Sequence, residues 1–239
     1  MIAVGLSGPV ASTFPETATN EKDRLLPLAT VAPLRAVVAG APIAVNGKVM
    51  PRRPRNSDVR TREHLTPEEV NKLIAAASRL GRHGGRDAAL ILIACRHGLR
   101  VGELVALRWD QVDLRAGLLH VSRLKGGVPS THPLRGPELR ALRRLRRLYS
   151  GSAAYVFTTE RGGPLTDSGV RKIVARAGAA AALPFPIHPH MLRHATGYKL
   201  ANDGQDTRAI QHYLGHKNIV HTTRYTNLAP DRFKMFWRD

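Results

Sequence analysis

The stretch Ile187-His-Pro-His-Met-Leu-Arg-His194 decides how the C-terminal third of this chain is interpreted. Pro189 suits the first turn of a helix, where its missing N–H is not needed. His190 and Arg193 then lie three residues apart, on one helical face. The free backbone N–H groups of a first turn favour an anion, and a guanidinium there binds phosphate through two parallel hydrogen bonds. The stretch therefore predicts a helix from Pro189 to Ala201 that begins at an anion site.

Two further motifs follow downstream. A helix capped by Asp206 or Thr207 should end at Leu214, with Gly215 as its stop and His216 directly after it. Nine residues later comes Tyr225, inside Thr222-Thr-Arg-Tyr-Thr226, on a helix predicted from residue 218 to 227. An amphipathic tail is predicted over residues 230–237.

Two candidate residues lie upstream. His97-Gly-Leu-Arg-Val-Gly-Glu103 places Arg100 at a tight junction between two helices, and Glu103 is spaced to orient its guanidinium. Lys125 is expected at the tip of a hairpin, and it is the only lysine between Lys72 and Lys172. An ammonium can release its proton when its environment is tuned, whereas a guanidinium cannot, so Lys125 suits a proton-donating step.

The periodicity predicts a mainly α fold with a small antiparallel three-stranded β-sheet (α+β). A capping box at Thr66-Pro-Glu-Glu69 opens the first helix, which should stop at Gly81. Further helices are predicted over residues 87–98, 102–108, 137–148 and 167–182, and strands over residues 111–114, 118–122 and 128–132. Residues 1–61 are expected to form a disordered or loosely structured N-terminal arm, and residues 62–239 a folded domain.

Charge indicates the partner. The net charge of +19 favours a polyanion, above all nucleic acid, although a solvated basic surface is the alternative. Five arginines of the helix over residues 137–148 leave the same two possibilities open. We expect no membrane span and no signal peptide, hence a cytoplasmic location. The single cysteine, Cys95, excludes an internal disulfide and a cysteine-rich metal site.

Each motif alone is weak, but the order Arg…Lys…His-x-x-Arg…Gly-His…Tyr is specific. In this order the chain resembles the catalytic domain of the tyrosine recombinases, the phage integrase superfamily. The resemblance is strongest to the fimbrial phase-switch recombinases, and it covers about residue 62 to the end. The stretches that carry it are residues 123–125, 130–134, 187–194, 210–216 and 222–226.

The resemblance implies a role for each candidate. Tyr225 would attack the scissile phosphate and form a 3′-phosphotyrosine link. Arg100 and Arg193 would hold the non-bridging oxygens, and His216 would donate another hydrogen bond. Lys125 would protonate the departing 5′-oxygen. His190 would take the proton of the tyrosine or return it on religation.

The resemblance also implies what the reaction uses. No cofactor, metal or ATP is expected, because the phosphotyrosine conserves the bond energy. The expected partners are double-stranded DNA and further copies of the chain in a synaptic tetramer, with no small-molecule substrate and no membrane. The outcome would be DNA integration, excision or inversion. Family members commonly carry an N-terminal helical domain that closes over DNA, and residues 1–61 lack its helical periodicity.

Three rival hypotheses remain open in the sequence. The chain could be a DNA-binding module that has lost turnover, or a type IB topoisomerase, which shares the tyrosine chemistry. Alternatively, histidines could hold zinc. The candidates for such a site are His188, His190 and His194, or His212 and His216.

Overall fold

The computed structural model describes residues 62–124, 126–148 and 153–226 of the chain. Within these residues the fold is mainly helical with one small antiparallel sheet, so the predicted fold class is confirmed. The helices are α1 (Pro67–Arg79), α2 (Gly84–His97), α3 (Val101–Val105), α4 (Gly136–Leu148), α5 (Asp167–Ala180), α6 (Pro189–Asn202), α7 (Thr207–Leu214) and α8 (Val220–Thr226). The predicted N-terminal arm and the tail over residues 230–237 lie outside the described residues.

Helix α1 begins as its sequence predicts. The Thr66 hydroxyl accepts from the Glu69 backbone N–H, and the Glu69 carboxylate accepts from the Thr66 N–H at 2.8 Å. Both ends of the capping box are therefore present. Val70, Leu73 and Ala77 repeat at helical spacing and bury one face, which packs on α2 and α5.

Helix α2 is the central core helix, since it packs against α1, α4 and α6. The prediction that it begins at Asp87 was wrong, because the helix begins at Gly84. A Cβ on Gly84 would lie 2.3 Å from the Ser78 carbonyl oxygen, so only glycine permits this approach of α2 to the end of α1. Asp87 is instead buried in the first turn, where it pairs with Arg86 at 2.8 Å.

The helix that follows α2 is shorter than predicted. Helix α3 ends at Val105 rather than residue 108, and a single 3₁₀ turn, Trp109–Gln111, follows. The chain leaves the helix there because the Trp109 N–H donates to the Ala154 carbonyl at 3.0 Å, a contact between segments remote in sequence.

The sheet has the order β1-β2-β3, with strands β1 (Val112–Asp113), β2 (Leu118–Val121) and β3 (Ser130–Pro133). The third strand was predicted over residues 128–132 but begins two residues later, because Val128 is exposed and unpaired with β2. Leu119 faces His132, and both side chains are buried. Residue 125 lies in the connection between β2 and β3.

Helix α6 is buried on nearly every side, since it packs against α2, α7 and α8. Its C-terminal part joins a small second core made by Ala201, Ile210, Leu214 and Tyr225. Tyr225, which lies on α8, is thereby packed against α6 and α7. Among the described residues, none of the helices has the length and apolar content that crossing a bilayer requires.

Candidate active site

Arg100 lies at the tight turn from α2 to α3, as its flanking glycines indicate. Gly98 ends α2 with φ of +57°, a conformation that favours glycine. The Arg100 N–H donates to Glu103 Oε2 at 2.9 Å, and its Nη1 donates to Glu103 Oε1 at 2.8 Å. The predicted orienting contact from Glu103 is therefore present. The Arg100 side chain keeps 32% exposure, so its remaining donors can reach a ligand.

Arg193 joins two distant segments of the chain. Its Nη2 donates to the Leu214 carbonyl at 2.7 Å, and its Nη1 donates to the Gly98 carbonyl. A Cβ on Gly98 would lie 2.4 Å from Leu214 Cδ2, so these two segments also touch directly. Because Gly98 precedes Arg100 by two residues and Leu214 precedes His216 by two, Arg193 brings both predicted residues to one place.

His216 follows the left-handed Gly215 that ends α7. Its Nδ1 lies 2.8 Å from the Thr222 hydroxyl, which fixes the ring against α8. Burial, with the charges of Arg193 and Arg100, lowers the pKa of His216 to about 3. The ring is therefore neutral at neutral pH, and its environment already contains positive charge from both arginines.

Tyr225 is almost completely buried, with 1% exposure. Its hydroxyl lies 3.0 Å from His194 Nδ1, and its ring stacks near that of His216 with 6.2 Å between centroids. A Cβ on Gly197 would lie 2.6 Å from the phenol ring, so α6 has a glycine where the ring rests. Burial raises the pKa of Tyr225, and the charge of Arg193 acts in the opposite direction.

The histidine in contact with the tyrosine hydroxyl is His194, which the sequence analysis did not select. His190 is exposed, and its ring meets that of His194 edge-on with 4.3 Å between centroids. Burial is the main cause of the lowered pKa of His194, which falls to about 3. The role of His190 as proton acceptor stays a prediction. The spacing of His190 and His194 could have raised His194 as a candidate, because residues four positions apart share one helical face.

Arg123 is the second residue that sequence reasoning missed. Its side chain is buried, its Nη1 donates to Glu103 Oε2 at 2.8 Å, and its Nη2 donates to the Tyr213 carbonyl. A Cβ on Gly215 would lie 2.7 Å from Arg123 Nε, so the turn before His216 rests on this guanidinium. Arg123 belongs to a stretch that carries the family resemblance, but the sequence gives no reason to assign it a role in the site.

The charges of the site do not balance. Among the described residues, Glu103 is the one carboxylate in hydrogen-bond contact with Arg100 or Arg123, and Arg193 contacts none. Burial and the charges of Arg100 and Arg123 lower the pKa of Arg193, which shows that its surroundings disfavour a further cation. Three guanidinium groups around one carboxylate leave an excess of positive charge, which an anion would compensate.

Two further sequence predictions concern Lys125 and a histidine zinc site. Lys125 lies outside the described residues, so its placement stays a prediction. The zinc alternative loses support, because the described part of the chain holds no group of three or more histidine, cysteine or acidic side chains arranged to bind a metal ion.

Comparisons with known proteins agree with this geometry. Residues 63–232 match the model of the phage integrase family. The chain is 42% identical over 181 residues to the type 1 fimbriae regulatory protein FimE of Escherichia coli K12, covering 74% of this chain and 91% of FimE. It is 34% identical over 186 residues to the tyrosine recombinase XerC of Bacillus pumilus, covering 74% of this chain and 61% of XerC.

Solved structures show the same fold. The XerA recombinase matches with a TM-score of 0.63 and 26% identity, over 77% of this chain and 64% of that one. The XerH site-specific recombinase bound to its difH substrate, in a pre-cleavage complex, matches with a TM-score of 0.61 and 20% identity, over 86% of this chain and 68% of that one.

Proposed function

Since this chain belongs to the phage integrase family and is a site-specific tyrosine recombinase, we propose that it cleaves and rejoins DNA strands with Tyr225 as the nucleophile. The observation that supports this assignment is the meeting of Arg100, Arg193, His216 and Tyr225 around uncompensated positive charge. A DNA phosphate is the anion that suits two guanidinium groups and a phenol.

The proposed cleavage step is a transesterification. The Tyr225 oxygen attacks the phosphorus, the bond from phosphorus to the 5′-oxygen breaks, and the DNA 3′ end becomes joined to the tyrosine. Arg100 and Arg193 stabilise the negative charge that develops on the non-bridging oxygens, and His216 donates a further hydrogen bond. Religation reverses the step with a 5′-hydroxyl from the same or another strand. No ATP and no metal enter this sequence.

Two protons must move in the proposed step. We place the first acceptor of the phenol proton at His194, because its Nδ1 is in hydrogen-bond contact with the Tyr225 hydroxyl. His190 would then pass the proton on towards solvent, since its ring meets that of His194 and is itself exposed. Lys125 would supply the proton that the departing 5′-oxygen takes up. An arriving phosphate anion would raise the lowered pKa values of His194 and His190, which favours these roles.

The assembly on DNA belongs to the same proposal. The DNA partner is supported by the family and by a solved structure of the same fold, the Tn1549 transposon integrase in complex with transposon right end DNA. We propose that four copies synapse two DNA sites, because exchange of strands needs one nucleophile for each of four broken strands. Integration, excision and inversion would differ in how the two sites are arranged.

Trapping the covalent intermediate tests the proposal. A duplex with a nick close to the scissile phosphate loses a short fragment after cleavage, so the protein stays attached. We expect an SDS-stable protein–DNA adduct with the wild-type chain and none with Tyr225→Phe, which removes one oxygen and retains the packing of the ring. A chain that binds this DNA but forms no adduct would instead be a binding module. Relaxation of supercoiled DNA without a recombination site would identify a topoisomerase.

A further inference from the structure

A chain of buried polar side chains lies outside the set assigned above. His97, His132 and Glu138 are each 1% exposed. His97 Nε2 lies 2.9 Å from a Glu138 oxygen, His97 Nδ1 lies 3.1 Å from His132 Nδ1, and His132 Nε2 lies 2.8 Å from the Ser130 hydroxyl. The Glu138 carboxylate also accepts from the Arg135 N–H at 2.8 Å, which anchors it at the start of α4.

One arrangement of protons fits these contacts. His97 Nε2 faces the Glu138 carboxylate and must hold a proton, because the carboxylate would repel a lone pair there. The angle of this contact is outside the range of a good hydrogen bond. His97 Nδ1 then accepts from His132 Nδ1, and His132 Nε2 accepts from the Ser130 hydroxyl. Burial lowers the pKa of His132 to about 3, in agreement with a neutral ring that donates at one nitrogen and accepts at the other.

These side chains connect three of the segments that carry the proposed chemistry, those of Arg100, His216 and Lys125. His97 precedes Arg100 by three residues. Tyr213 precedes His216 by three residues, and its ring stacks on that of His132 with 3.9 Å between centroids. The Tyr213 hydroxyl also donates to the Arg96 carbonyl at 2.9 Å. His132 lies on β3, the strand that ends the connection containing Lys125.

Stability alone gives no reason for this arrangement. Two imidazoles and a carboxylate removed from water carry a desolvation penalty, and apolar residues of similar volume often stabilise a core at least as well. Hydrogen bonds between specific buried side chains instead fix the position of a strand relative to the helices that it packs against. Here it fixes β3 against the end of α2 and against the start of the segment that contains His216.

We propose that His132, through its contacts with His97 and Tyr213, is a positioning residue that holds the β2–β3 connection so that Lys125 reaches the leaving oxygen. This inference rests on the proposed function, because it assumes that Lys125 protonates the 5′-oxygen. A displacement of about 1 Å is enough to slow a positioned step on the order of a hundredfold. Loss of the His132 nitrogens should therefore slow proton delivery while the phosphate-binding residues remain in place.

The test compares two forms of the nicked DNA substrate. One has the natural 5′-bridging oxygen, and the other has sulfur at that atom, so that the leaving thiolate needs no proton. In His132→Phe, which keeps a ring against Tyr213, we expect cleavage of the oxygen substrate to fall about 10- to 100-fold. Cleavage of the sulfur substrate should stay within a few-fold of the wild-type rate. Lys125→Ala should give the same pattern, whereas Arg100→Ala should be slow on both substrates.

Several outcomes separate this inference from the proposed function. The sulfur substrate could restore cleavage by Lys125→Ala while His132→Phe stays equally slow on both substrates. That result would overturn the inference about His132 and leave the proposed function standing. An unimpaired Lys125→Ala would overturn the assigned proton donor and the inference with it. Ser130→Ala provides a milder variant if His132→Phe does not fold, because it removes only the donor at the half-buried end of the chain. Ser130→Ala should cleave the oxygen substrate more slowly than the wild type, by a smaller factor than His132→Phe, and should cleave the sulfur substrate at nearly the wild-type rate. Slower cleavage of both substrates would count against the inference.

Discussion

Replacement of Glu103 by glutamine should destabilise the domain and weaken DNA cleavage together. The Glu103 carboxylate is 4% exposed and accepts from the Arg100 N–H, from Arg100 Nη1 and from Arg123 Nη1. An amide has one acceptor oxygen and would turn its NH₂ group towards a guanidinium. Glu103→Gln thus leaves the buried Arg123 without its counter-charge.

The expected loss follows from the burial of the two pairs. Breaking a buried ion pair by removing one partner costs about 3–5 kcal/mol. The Arg100 pair is partly exposed and therefore screened, whereas the Arg123 side chain in its pair is 0% exposed. We therefore expect Glu103→Gln to lower the free energy of unfolding by about 3 kcal/mol, at the lower end of that range. For a domain of this size that corresponds to a decrease in Tm of roughly 6–12 °C.

The pH dependence of this loss has a defined sign. Burial alone would raise the pKa of Glu103, but hydrogen bonds from Arg100 and the charge of Arg123 hold it below its ordinary value. A lowered pKa in the folded state stabilises the protein above the ordinary glutamate pKa of about 4.3, and this contribution is lost as the pH falls. The difference between wild type and Glu103→Gln should thus be full at pH 7 and decrease below about pH 4.3.

Thermal melting followed by circular dichroism, together with adduct formation on nicked DNA, would measure both effects. Glu68→Gln is the matched control, since Glu68 is exposed on α1 and should leave Tm unchanged. A Glu103→Gln variant with the melting temperature and adduct yield of the wild type would refute the claim that this carboxylate compensates Arg123.

Three further predictions follow from contacts of the site. Because the pKa values of His132, His194 and His216 fall to about 3 in the folded state, the unfolded chain binds more protons below the ordinary histidine value. Stability should therefore decrease by roughly 4 kcal/mol between pH 7 and pH 5.5, and urea unfolding that gave equal free energies at both pH values would contradict this. Gly197→Ala places a Cβ 2.6 Å from the Tyr225 ring, whereas Gly85→Ala meets open space. Gly197→Ala should lower the free energy of unfolding by about 1–3 kcal/mol and slow adduct formation at least about tenfold. Gly85→Ala should change neither quantity. Equal rates of adduct formation in the two variants would show that the tyrosine ring reacts from another position. Adduct formation should be unchanged in EDTA, and a loss that Zn²⁺ restores would reinstate a metal site.

The catalytic candidates that sequence reasoning found share a local signature. Arg100 follows a glycine junction, Arg193 lies four residues after the proline that opens a helix, and His216 follows a helix-ending glycine. These features depend on residues within a few positions, so the sequence alone predicts them. The family order of the motifs then supplied the roles, and the family assignment is confirmed.

The residues that were missed depend on contacts between distant segments. Arg123 contacts the Tyr213 carbonyl, 90 positions away, and His194 contacts the Tyr225 hydroxyl, 31 positions away. The start of α2 was misplaced because Gly84 is required by its close approach to Ser78 at the end of α1, which depends on how the two helices meet. No local pattern contains such information.

The two carbonyls bound by Arg193 have a consequence for kinetic experiments. Its guanidinium, which we propose as a ligand for phosphate, also links the turn after α2 to the end of α7. A substitution there that removes the charge also breaks the link between the two loops, so its rate defect combines two losses. Even a perfectly folded Arg193→Lys variant would report on loop geometry as much as on charge, whereas Arg100, with its partly solvent-facing side chain, gives the cleaner measure of what a guanidinium contributes to the reaction.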